Sequence, residues 1–240
     1  MRVIQHVRSL LRRLTGFDVI RYVPESSYYA RRIALFRYYG IDLVIDVGAN
    51  VGQFGKELRA LGYKTRIVSF EPIHGAYRLL QACANKDGRW ETFPFALGDF
   101  CGSTSINISA DSASSSLLVI LPALTLPAPE AAYVGMEIVE VRTLDSLFAQ
   151  LHPNKHRIYL KIDTQGYESS VLKGALISLQ EIDTVQLEMS LVPLYRNEET
   201  FFKMCAQMTR LGYEMIALDP GFTDPKTGRQ LQTNGVFHRP

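Results

Sequence analysis

Short runs of apolar, often β-branched residues recur along the chain, separated by stretches with helical spacing. The run DLVIDV at 42–47 is apolar without alternation, as in a parallel strand that is buried on both faces. Further strands of this series are predicted at RIVSFEP, WETFPFAL, RIYLKID, IDTVQLEMS, YEMIALD and LQTNGVFHR. Two other segments, STSINIS and MEIVEVRTL, alternate between polar and apolar residues, which is typical of half-exposed antiparallel strands.

Helices are predicted between most of these strands. Ser26 or Ser27 is a suitable N-cap for a helix that Gly40 ends, and Gly62 ends a helix that begins near Gly52. The remaining helices are predicted at 1–17, 75–84, 166–179 and 198–211. Strands that alternate with helices form βαβ units, so the chain is expected to build a mostly parallel sheet with helices on both faces.

The last strand and a central segment depart from this alternation. The connection PGFTDPKTGRQ is too short for a crossover helix, so the final strand is expected to pair antiparallel. The segment 99–142 is predicted to be an insertion that contains the two alternating strands as a β-hairpin. Between them, 111–135 carries several prolines and an apolar run, and we expect it to fold back over the strand ends as a lid. The predicted fold class is therefore α/β and Rossmann-like.

Composition and charge narrow the classes of partner. A net charge of +2 over 240 residues is too small for the basic surface that nucleic-acid binding needs, so no nucleic-acid partner is expected. The three cysteines, Cys83, Cys101 and Cys205, form no C-x-x-C pair, which predicts reduced thiols rather than a disulfide framework or a zinc site. Neither a signal peptide nor a bilayer-spanning run is expected, so a cytoplasmic location is predicted.

The first 40 residues are predicted to form a helical segment that precedes one domain over 41–240. In the opening helix, apolar residues recur at helical spacing and arginines occupy much of the remaining surface. The apolar positions are Val3, Val7, Leu10, Leu11 and Leu14, and the arginines are Arg2, Arg8, Arg12 and Arg13. Two interpretations stay open: the helix packs on the domain, or it is a basic amphipathic helix that touches the acidic inner face of a membrane.

The stretch VIDVGANVGQF at 44–54 predicts a strand, a glycine turn and a helix, which is the usual cradle of a nucleotide. It nearly matches the dinucleotide fingerprint G-x-G-x-x-G, but Asn50 replaces the second glycine, where the backbone approaches a diphosphate. S-adenosylmethionine has no phosphate, and Asp46 at the strand end is a suitable acceptor for its ammonium group, directly or through water. Glu71, about twenty residues beyond the glycines, is placed to accept both hydroxyls of a ribose.

The motifs VIDVGANVGQF, SFEP, FALGD, SASSSL, LKIDTQGYE and VQLEMSLVPLY together resemble the FkbM family of S-adenosylmethionine-dependent methyltransferases. The resemblance runs from about residue 41 almost to the C-terminus, and it implies the class I methyltransferase variant of the Rossmann-like sheet. It also implies O-methylation of a sugar, glycan or related secondary metabolite, often in polysaccharide biosynthesis. Many members resemble LKIDVEGxE where this chain has Thr164 and Gln165.

The cofactor site is expected at the carboxyl ends of the strands, where open α/β sheets bind their ligands. The residues predicted to contact the cofactor come from the glycine turn, the end of the second strand, the segment after the third strand and the end of the fourth. They are Asp46, Gly48, Ala49, Asn50, Gly52, Gln53, Phe54, Glu71, Pro72, Leu97, Gly98, Asp99 and Asp163.

Asp163 and Glu188 end neighbouring strands and are the candidate catalytic residues. Asp163 is predicted to act as a base, as a metal ligand or as an acceptor from the cofactor's amino group. The two carboxylates suit Mg²⁺, although no third ligand is identifiable. Lys161 on the same strand face is either their electrostatic partner or a lysine whose stem reaches solvent. The residues predicted to contact the small-molecule or glycan acceptor are Ser114, Ser115, Ser116, Gln165, Tyr195 and His238.

Two other functions stay open at this stage. One is a Rossmann-type NAD(P)-dependent oxidoreductase, which Asn50 and the absence of a Tyr-x-x-x-Lys pair disfavour. The other is a non-catalytic, cofactor-binding subunit of a glycan-assembly complex. His152 and His156 have the spacing of a metal pair, but HPNKH is typical of a loop, and no zinc site is expected. The oligomeric state and the acceptor are left open.

Overall fold

The computed structural model describes residues 2–151 and 157–240, with side chains from residue 6 onwards. The chain divides into two units, Met1–Gly40 and Ile41–Pro240. The first unit contains helix α1 (Arg2–Thr15) and helix α2 (Tyr28–Tyr39). The side chain of Ser27 accepts from the backbone N–H of Ala30, and Gly40 ends α2 in the left-handed conformation, so both predicted ends of this helix are confirmed.

The second unit contains the remaining helices and all the strands of the described chain. In chain order, the strands are β1 (Leu43–Val47), β2 (Arg66–Phe70), β3 (Trp90–Phe93), β4 (Ala96–Leu97), β5 (Gly102–Ser109), β6 (Tyr133–Arg142), β7 (Ile158–Ile162), β8 (Thr184–Ser190), β9 (Glu214–Pro220) and β10 (Gln232–His238). The helices are α3 (Gln53–Ala60), α4 (His74–Ala84), α5 (Pro122–Thr125), α6 (Leu144–Leu151), α7 (Glu168–Lys173) and α8 (Phe201–Arg210).

Seven of the strands form the central sheet in the order β3-β2-β1-β7-β8-β10-β9. The pairs from β3 to β8 are parallel, whereas β10 pairs antiparallel with both β8 and β9. The inner strands β1 and β7 are buried along their whole length, because helices cover both faces of a parallel sheet. The predicted α/β fold class with an antiparallel last strand is therefore confirmed.

The insertion forms a second sheet of three strands in the order β4-β6-β5. β5 and β6 pair antiparallel, which confirms the predicted hairpin, and β4 adds to β6 in parallel. The sequence predicted a single strand over WETFPFAL, and this is wrong. The chain leaves the central sheet at Pro94, which has no N–H to donate, and the residues after it pair with the insertion instead.

Two helices also differ from their predictions. The segment MEIVEVRTL was predicted to be extended to its end, but β6 stops at Arg142 and Leu144 begins α6. The helix predicted over 166–179 stops at Lys173, and Gly174 follows it. The backbone of Gly174 lies so close to Gly98 that a Cβ there would be 1.8 Å from the carbonyl oxygen of Gly98. This close backbone contact holds α7 against the segment that follows β4.

The stretch 111–135, which was expected to fold back over the strand ends as a lid, packs against the chain after β8. Its backbone bonds to that segment, with the N–H of Leu121 donating to the oxygen of Leu194 and the N–H of Arg196 donating to the oxygen of Val119. A small apolar cluster seals the contact, formed by Leu124, Ala128, Ala131, Leu194, Tyr195 and Leu231. The stretch is therefore anchored by its own core.

Replacing Leu124 with alanine should lower the free energy of unfolding by about 2–5 kcal/mol, since the change leaves a cavity in this cluster. Leu124 is 3% exposed, whereas Leu126, two residues further on, is 72% exposed. Leu126→Ala is the matched control and should change stability by less than about 0.5 kcal/mol. Urea unfolding of both variants measures the difference, and equal stabilities would show that the stretch is not anchored as described.

Candidate functional site

The glycine turn after β1 brings the ends of three strands together. The N–H groups of Gly48 and Ala49 both donate to the oxygen of Phe70, each at 3.0 Å, which ties the turn to β2. Gly48 has φ of 76°, and a Cβ there would lie 1.9 Å from the carbonyl oxygen of Asp163 at the end of β7. Only glycine permits both the backbone conformation and this approach.

Glu71 at the end of β2 is held by the backbone of two neighbouring turns. Its Oε2 accepts from the N–H of Asn50 at 2.8 Å, and its Oε1 accepts from the N–H of Ile73 at 2.9 Å. Asn50 is itself left-handed, with φ of 46°, and its side-chain amide contacts the Ser112 hydroxyl at 3.3 Å. Burial raises the pKa of Glu71 to about 7, although the two N–H donors oppose the shift.

A pocket lies over the carboxyl ends of β1, β2 and β7, with an empty volume of about 550 Å³ that is partly open to solvent. The walls come from the glycine turn, the end of β2, the β4 strand, the insertion and the loop after β7. They are lined by Val47, Gly48, Asn50, Phe70, Glu71, Pro72, Ile73, Ala96, Leu97, Ile106, Ser112, Ala113, Ser115, Leu117, Asp163, Thr164, Gln165 and Tyr167.

An ion-pair chain runs from the core to the pocket wall. Lys161 Nζ lies 3.2 Å from Asp46 Oδ1 and 3.3 Å from Asp163 Oδ2, and it also lies 5.2 Å from the centre of the Phe54 ring. Burial lowers the pKa of Lys161, but the two carboxylates raise it by more, so the ammonium stays charged. The structure thus favours the interpretation of Lys161 as an electrostatic partner.

Asp46 is fully buried and bonded to Lys161 and to the Ser69 hydroxyl, so it is not a pocket residue. This burial contradicts a direct contact between Asp46 and a ligand's ammonium group, and a contact through water stays a prediction. An apolar strand end can leave a carboxylate facing either the pocket or a buried cation on the next strand. Here β1 and β7 pair with Asp46 opposite Lys161, which decides in favour of the cation.

Gln165 connects Asp163 to Glu188. Its Nε2 donates to Asp163 Oδ1 at 2.9 Å and to Glu188 Oε2 at 2.7 Å, while its Oε1 accepts from the Tyr195 hydroxyl at 2.7 Å. Gln165 is left-handed, with φ of 56°, a conformation that aims the amide between the two carboxyl groups. An amide donates to both acids, which a glutamate at this position could not do.

Glu188 lies behind this amide rather than in the pocket wall. It also accepts from Gln232 Nε2 at 2.8 Å. Burial raises the pKa of Glu188 well above its usual value, and the nearby charge of Asp163 raises it further. Glu188 is not among the residues that line the pocket, so it is not placed to contact a ligand there directly. Asp163 is the more exposed of the pair and faces the pocket.

The loop after β7 is held by a buried acid. Glu168 Oε1 accepts from the backbone N–H of Thr164 at 2.7 Å and from that of Gly166 at 3.3 Å. Ser116 Oγ donates to the oxygen of Gln165 at 2.7 Å from the insertion side. Gln165 is therefore fixed from both sides, and its side chain has little freedom.

The pocket brings together about half of the residues predicted to hold the cofactor. Those that line it are Gly48, Asn50, Glu71, Pro72, Leu97 and Asp163. The others lie behind or beside the wall. Ala49 and Phe54 are buried, Gly52 packs on Trp90, Gln53 is exposed, and Gly98 with Asp99 lies beyond Tyr167, whose hydroxyl donates to Asp99 Oδ1 at 3.2 Å.

The predicted acceptor residues divide in the same way. Ser115 and Gln165 line the pocket, whereas Ser114 donates to Asp111 at 2.8 Å and Ser116 holds the loop after β7. Tyr195 is fully buried and acts on Gln165 from behind. Each of these three hydroxyls is already committed to a partner within the chain.

The prediction that His238 contacts the acceptor is wrong, because His238 lies at the opposite end of the strands from the pocket. It pairs with Thr184 at the first position of β8, and its Nδ1 contacts the Thr184 hydroxyl at 2.8 Å. The last strand runs antiparallel, so its C-terminal end points away from the pocket. The direction of this strand was predicted correctly, but its consequence for His238 was overlooked. His152 and His156 lie outside the described residues.

Sequence reasoning missed several residues of the wall. Tyr167 and Thr164 flank Gln165 in the motif LKIDTQGYE, and this proximity was an available signal. Ile106 and Leu117 come from the insertion, and nothing in their local pattern distinguishes them from core residues. Their place depends on how β5 folds over the strand ends, which is a tertiary property.

The donor set at Asp163 and Glu188 does not fit a divalent cation. Mg²⁺ needs about six oxygen ligands, and the ammonium group of Lys161, 3.3 Å from Asp163 Oδ2, would repel a second cation there. Within residues 2–151 and 157–240, no group of three metal-ligating side chains is found. Magnesium, which the sequence left possible, is therefore not part of this site.

Gln165→Glu should lower turnover by at least about tenfold, since it removes two hydrogen bonds to carboxyl groups and adds a third acid beside them. Gln150→Glu, an exposed change of the same charge, is the matched control and should behave as the wild type. Steady-state kinetics of both variants give the comparison. A Gln165→Glu protein with normal turnover would show that the amide does not hold Asp163 in place.

Comparisons with known proteins identify the family of the chain. The family described as "Methyltransferase FkbM domain" matches residues 46–215. Among solved structures, PH1948 from Pyrococcus horikoshii, provisionally described as an RNA methyltransferase, is 13% identical with a TM-score of 0.48, covering 100% of this chain and 99% of its own. No curated protein matches the chain.

A second solved structure is similar at the same level. It is magnesium protoporphyrin IX methyltransferase (ChlM) from Synechocystis PCC 6803 with bound SAM. It is 9% identical with a TM-score of 0.47, and the match covers 98% of this chain and 96% of that one. Likenesses at this level of sequence identity concern the fold alone.

Proposed function

Because the chain belongs to the FkbM methyltransferase family and is thus a S-adenosylmethionine-dependent methyltransferase, we propose that it methylates a hydroxyl group of a sugar, a glycan or a related secondary metabolite. The observation that carries the proposal is the carboxylate of Asp163. It lies in the pocket wall with one oxygen beside Lys161 and the other bonded to Gln165. A carboxylate fixed in this way suits an acceptor whose proton must be removed.

The wall of the pocket has groups that suit the parts of S-adenosylmethionine. Glu71 has the carboxylate that a ribose diol requires, and Gly48 gives a backbone surface without a side chain. Leu97 and Ile73 supply apolar walls that suit a purine.

When bound, the cofactor supplies a methyl group already activated as a sulfonium. The residues of this chain then have to orient the acceptor oxygen and receive its proton. Asp163 is the group in position to receive it, because it faces the pocket, whereas Glu188 lies behind Gln165 and outside the pocket wall. Lys161 and Gln165 keep the carboxyl group of Asp163 oriented, which lowers the cost of aligning the acceptor.

The polar part of the wall supports a hydroxyl-bearing acceptor. Ser112, Ser115, Thr164 and Tyr167 line the pocket beside Asp163, so hydroxyl groups and amides surround the site where the acceptor would bind. Sugars are recognised through many hydrogen bonds of this type. The family resemblance supports the same class of acceptor, with a role in polysaccharide biosynthesis in the cytoplasm as part of the proposal.

Calorimetry and turnover test the proposal in two steps. S-adenosylhomocysteine should bind to the purified chain and NAD should not, which separates methyl transfer from hydride transfer. Turnover against a panel of nucleotide sugars and glycans then separates an enzyme from a non-catalytic subunit. Transfer to at least one hydroxyl acceptor is expected, whereas tight binding without any transfer would favour the subunit.

A further inference from the structure

Helix α1 presents an apolar face to solvent. Val7, Leu10, Leu11 and Leu14 follow one another at intervals of three and four residues, which places them on one side of the helix. Leu10 is 58% exposed and Leu14 is 74% exposed. A row of exposed leucines is unusual for a surface helix, because burial of each would be favourable.

The chain continues this apolar surface beyond the helix. Gly16, with φ of 74°, ends α1, and Arg8 Nε lies 2.6 Å from Asp18 Oδ1, which brings the following segment back beside the helix. That segment carries three further exposed apolar side chains, Phe17, Val19 and Ile20. The exposed apolar side chains of the helix and of this segment, all within residues 7–20, are together called here the N-terminal patch.

Positive charge borders the N-terminal patch. Residues 1–22 contain five arginines and one aspartate, without lysine or glutamate, so this segment has a net charge of +4. The whole chain has a net charge of +2, so the remaining residues are net negative. Within α1 there is no acidic residue, and Arg12 and Arg13 lie in its last turn, away from the leucine face.

We propose that the N-terminal patch binds flat on the surface of an anionic lipid bilayer. Apolar side chains along one side of a helix, with arginines on the other, match the two layers of such a surface, acyl chains below and anionic headgroups above. A nucleic acid would use the arginines but not the leucines. No helix among the described residues is long and apolar enough to cross a membrane, so the contact is peripheral.

This inference is independent of the acceptor proposed above. It requires only that the leucine face and the arginines act together. Removing either should therefore weaken the contact, and raised salt should weaken it through the arginines alone. Binding to lipid and methyl transfer can then fail separately, which keeps the two proposals distinguishable.

Sedimentation of the full chain with lipid vesicles tests the proposal. The wild type should bind vesicles of phosphatidylcholine with phosphatidylglycerol at least about tenfold more tightly than vesicles of phosphatidylcholine alone. The double variant Leu10→Glu/Leu14→Glu should lose at least about tenfold in affinity for the anionic vesicles. Affinity for S-adenosylhomocysteine should be unchanged in that variant, which shows that the fold survives.

A matched control makes the same chemical change elsewhere. Ile177 and Phe202 are 74% and 81% exposed, and Ile177→Glu/Phe202→Glu should bind vesicles as the wild type does. The proposal is overturned if the wild type ignores anionic vesicles or if the leucine variant binds them normally. It is also overturned if the leucine variant changes the oligomeric state or lowers the melting temperature by several degrees, since another copy or the rest of the chain would then cover the face.

Discussion

Asp163→Asn should lower kcat by about 10²–10⁴-fold, the usual contribution of a general base, while affinity for S-adenosylhomocysteine changes by less than about threefold. The asparagine keeps the size of the side chain and an oxygen that accepts from Gln165 Nε2. It removes the charge that Lys161 Nζ faces at 3.3 Å and the ability to take a proton. Single-turnover kinetics together with calorimetry separate the two effects.

Glu188→Gln is the matched control for this experiment. Glu188 lies outside the pocket wall, and glutamine has nearly the same shape and an oxygen that can accept from Gln165 and Gln232. We therefore expect kcat within about threefold of the wild type, in contrast to an active base. If both variants lose activity equally, the two acids act as one unit. If Asp163→Asn keeps full activity, Asp163 is structural.

Glu71→Ala should weaken the binding of S-adenosylhomocysteine by at least about tenfold, because hydrogen bonds to a charged group are worth ~1.5–3 kcal/mol each. Glu71→Gln should have a smaller effect, since its carbonyl still accepts from one of the two backbone N–H groups. Glu137 accepts from the N–H of His74 at 3.0 Å nearby, and Glu137→Gln is the control that should leave affinity unchanged. An unchanged dissociation constant for Glu71→Ala would remove this residue from the site.

Cofactor affinity should also depend on pH through Glu71. Burial raises the pKa of Glu71 to about 7, so in the free protein the Glu71 carboxyl group is largely protonated below that pH. A ribose diol donates hydrogen bonds and needs the carboxylate, so affinity should rise as pH increases through about 7 and then level off. The dependence should disappear in Glu71→Gln. Glu168, whose pKa is also raised to about 7, is unchanged in that variant, so a dependence that persisted there would be assigned to Glu168 instead.

The sequence predicted the parts of this site that depend on local pattern. The glycine turn is fixed by a backbone clash that only Gly48 avoids, and the acid after β2 is fixed by its distance along the chain. Gly48 and Glu71 both lie in the pocket wall, at the strand ends where the sequence predicted them. The end of β7 was found in the same way, because the motif LKIDTQGYE ends a buried strand.

The parts that were wrong depend on contacts between distant elements. Asp46 and Lys161 face each other only because β1 and β7 are neighbours in the sheet. Pro94 interrupts a stretch that otherwise favours a single strand, and its neighbours then pair with a hairpin far along the chain. The role of Gln165 also lies beyond local pattern, since the two acids and Tyr195 reach it from three different segments.

The position of a labelled methyl group tests the central claim most directly. The protein is incubated with S-adenosylmethionine that carries an isotopically labelled methyl group and with the acceptor panel, and the product is examined by NMR. We predict that the label appears as a methyl ether on a hydroxyl oxygen of the acceptor and that Asp163→Asn abolishes it. A label on nitrogen or carbon, or the same methyl ether formed by Asp163→Asn at the normal rate, would contradict the account.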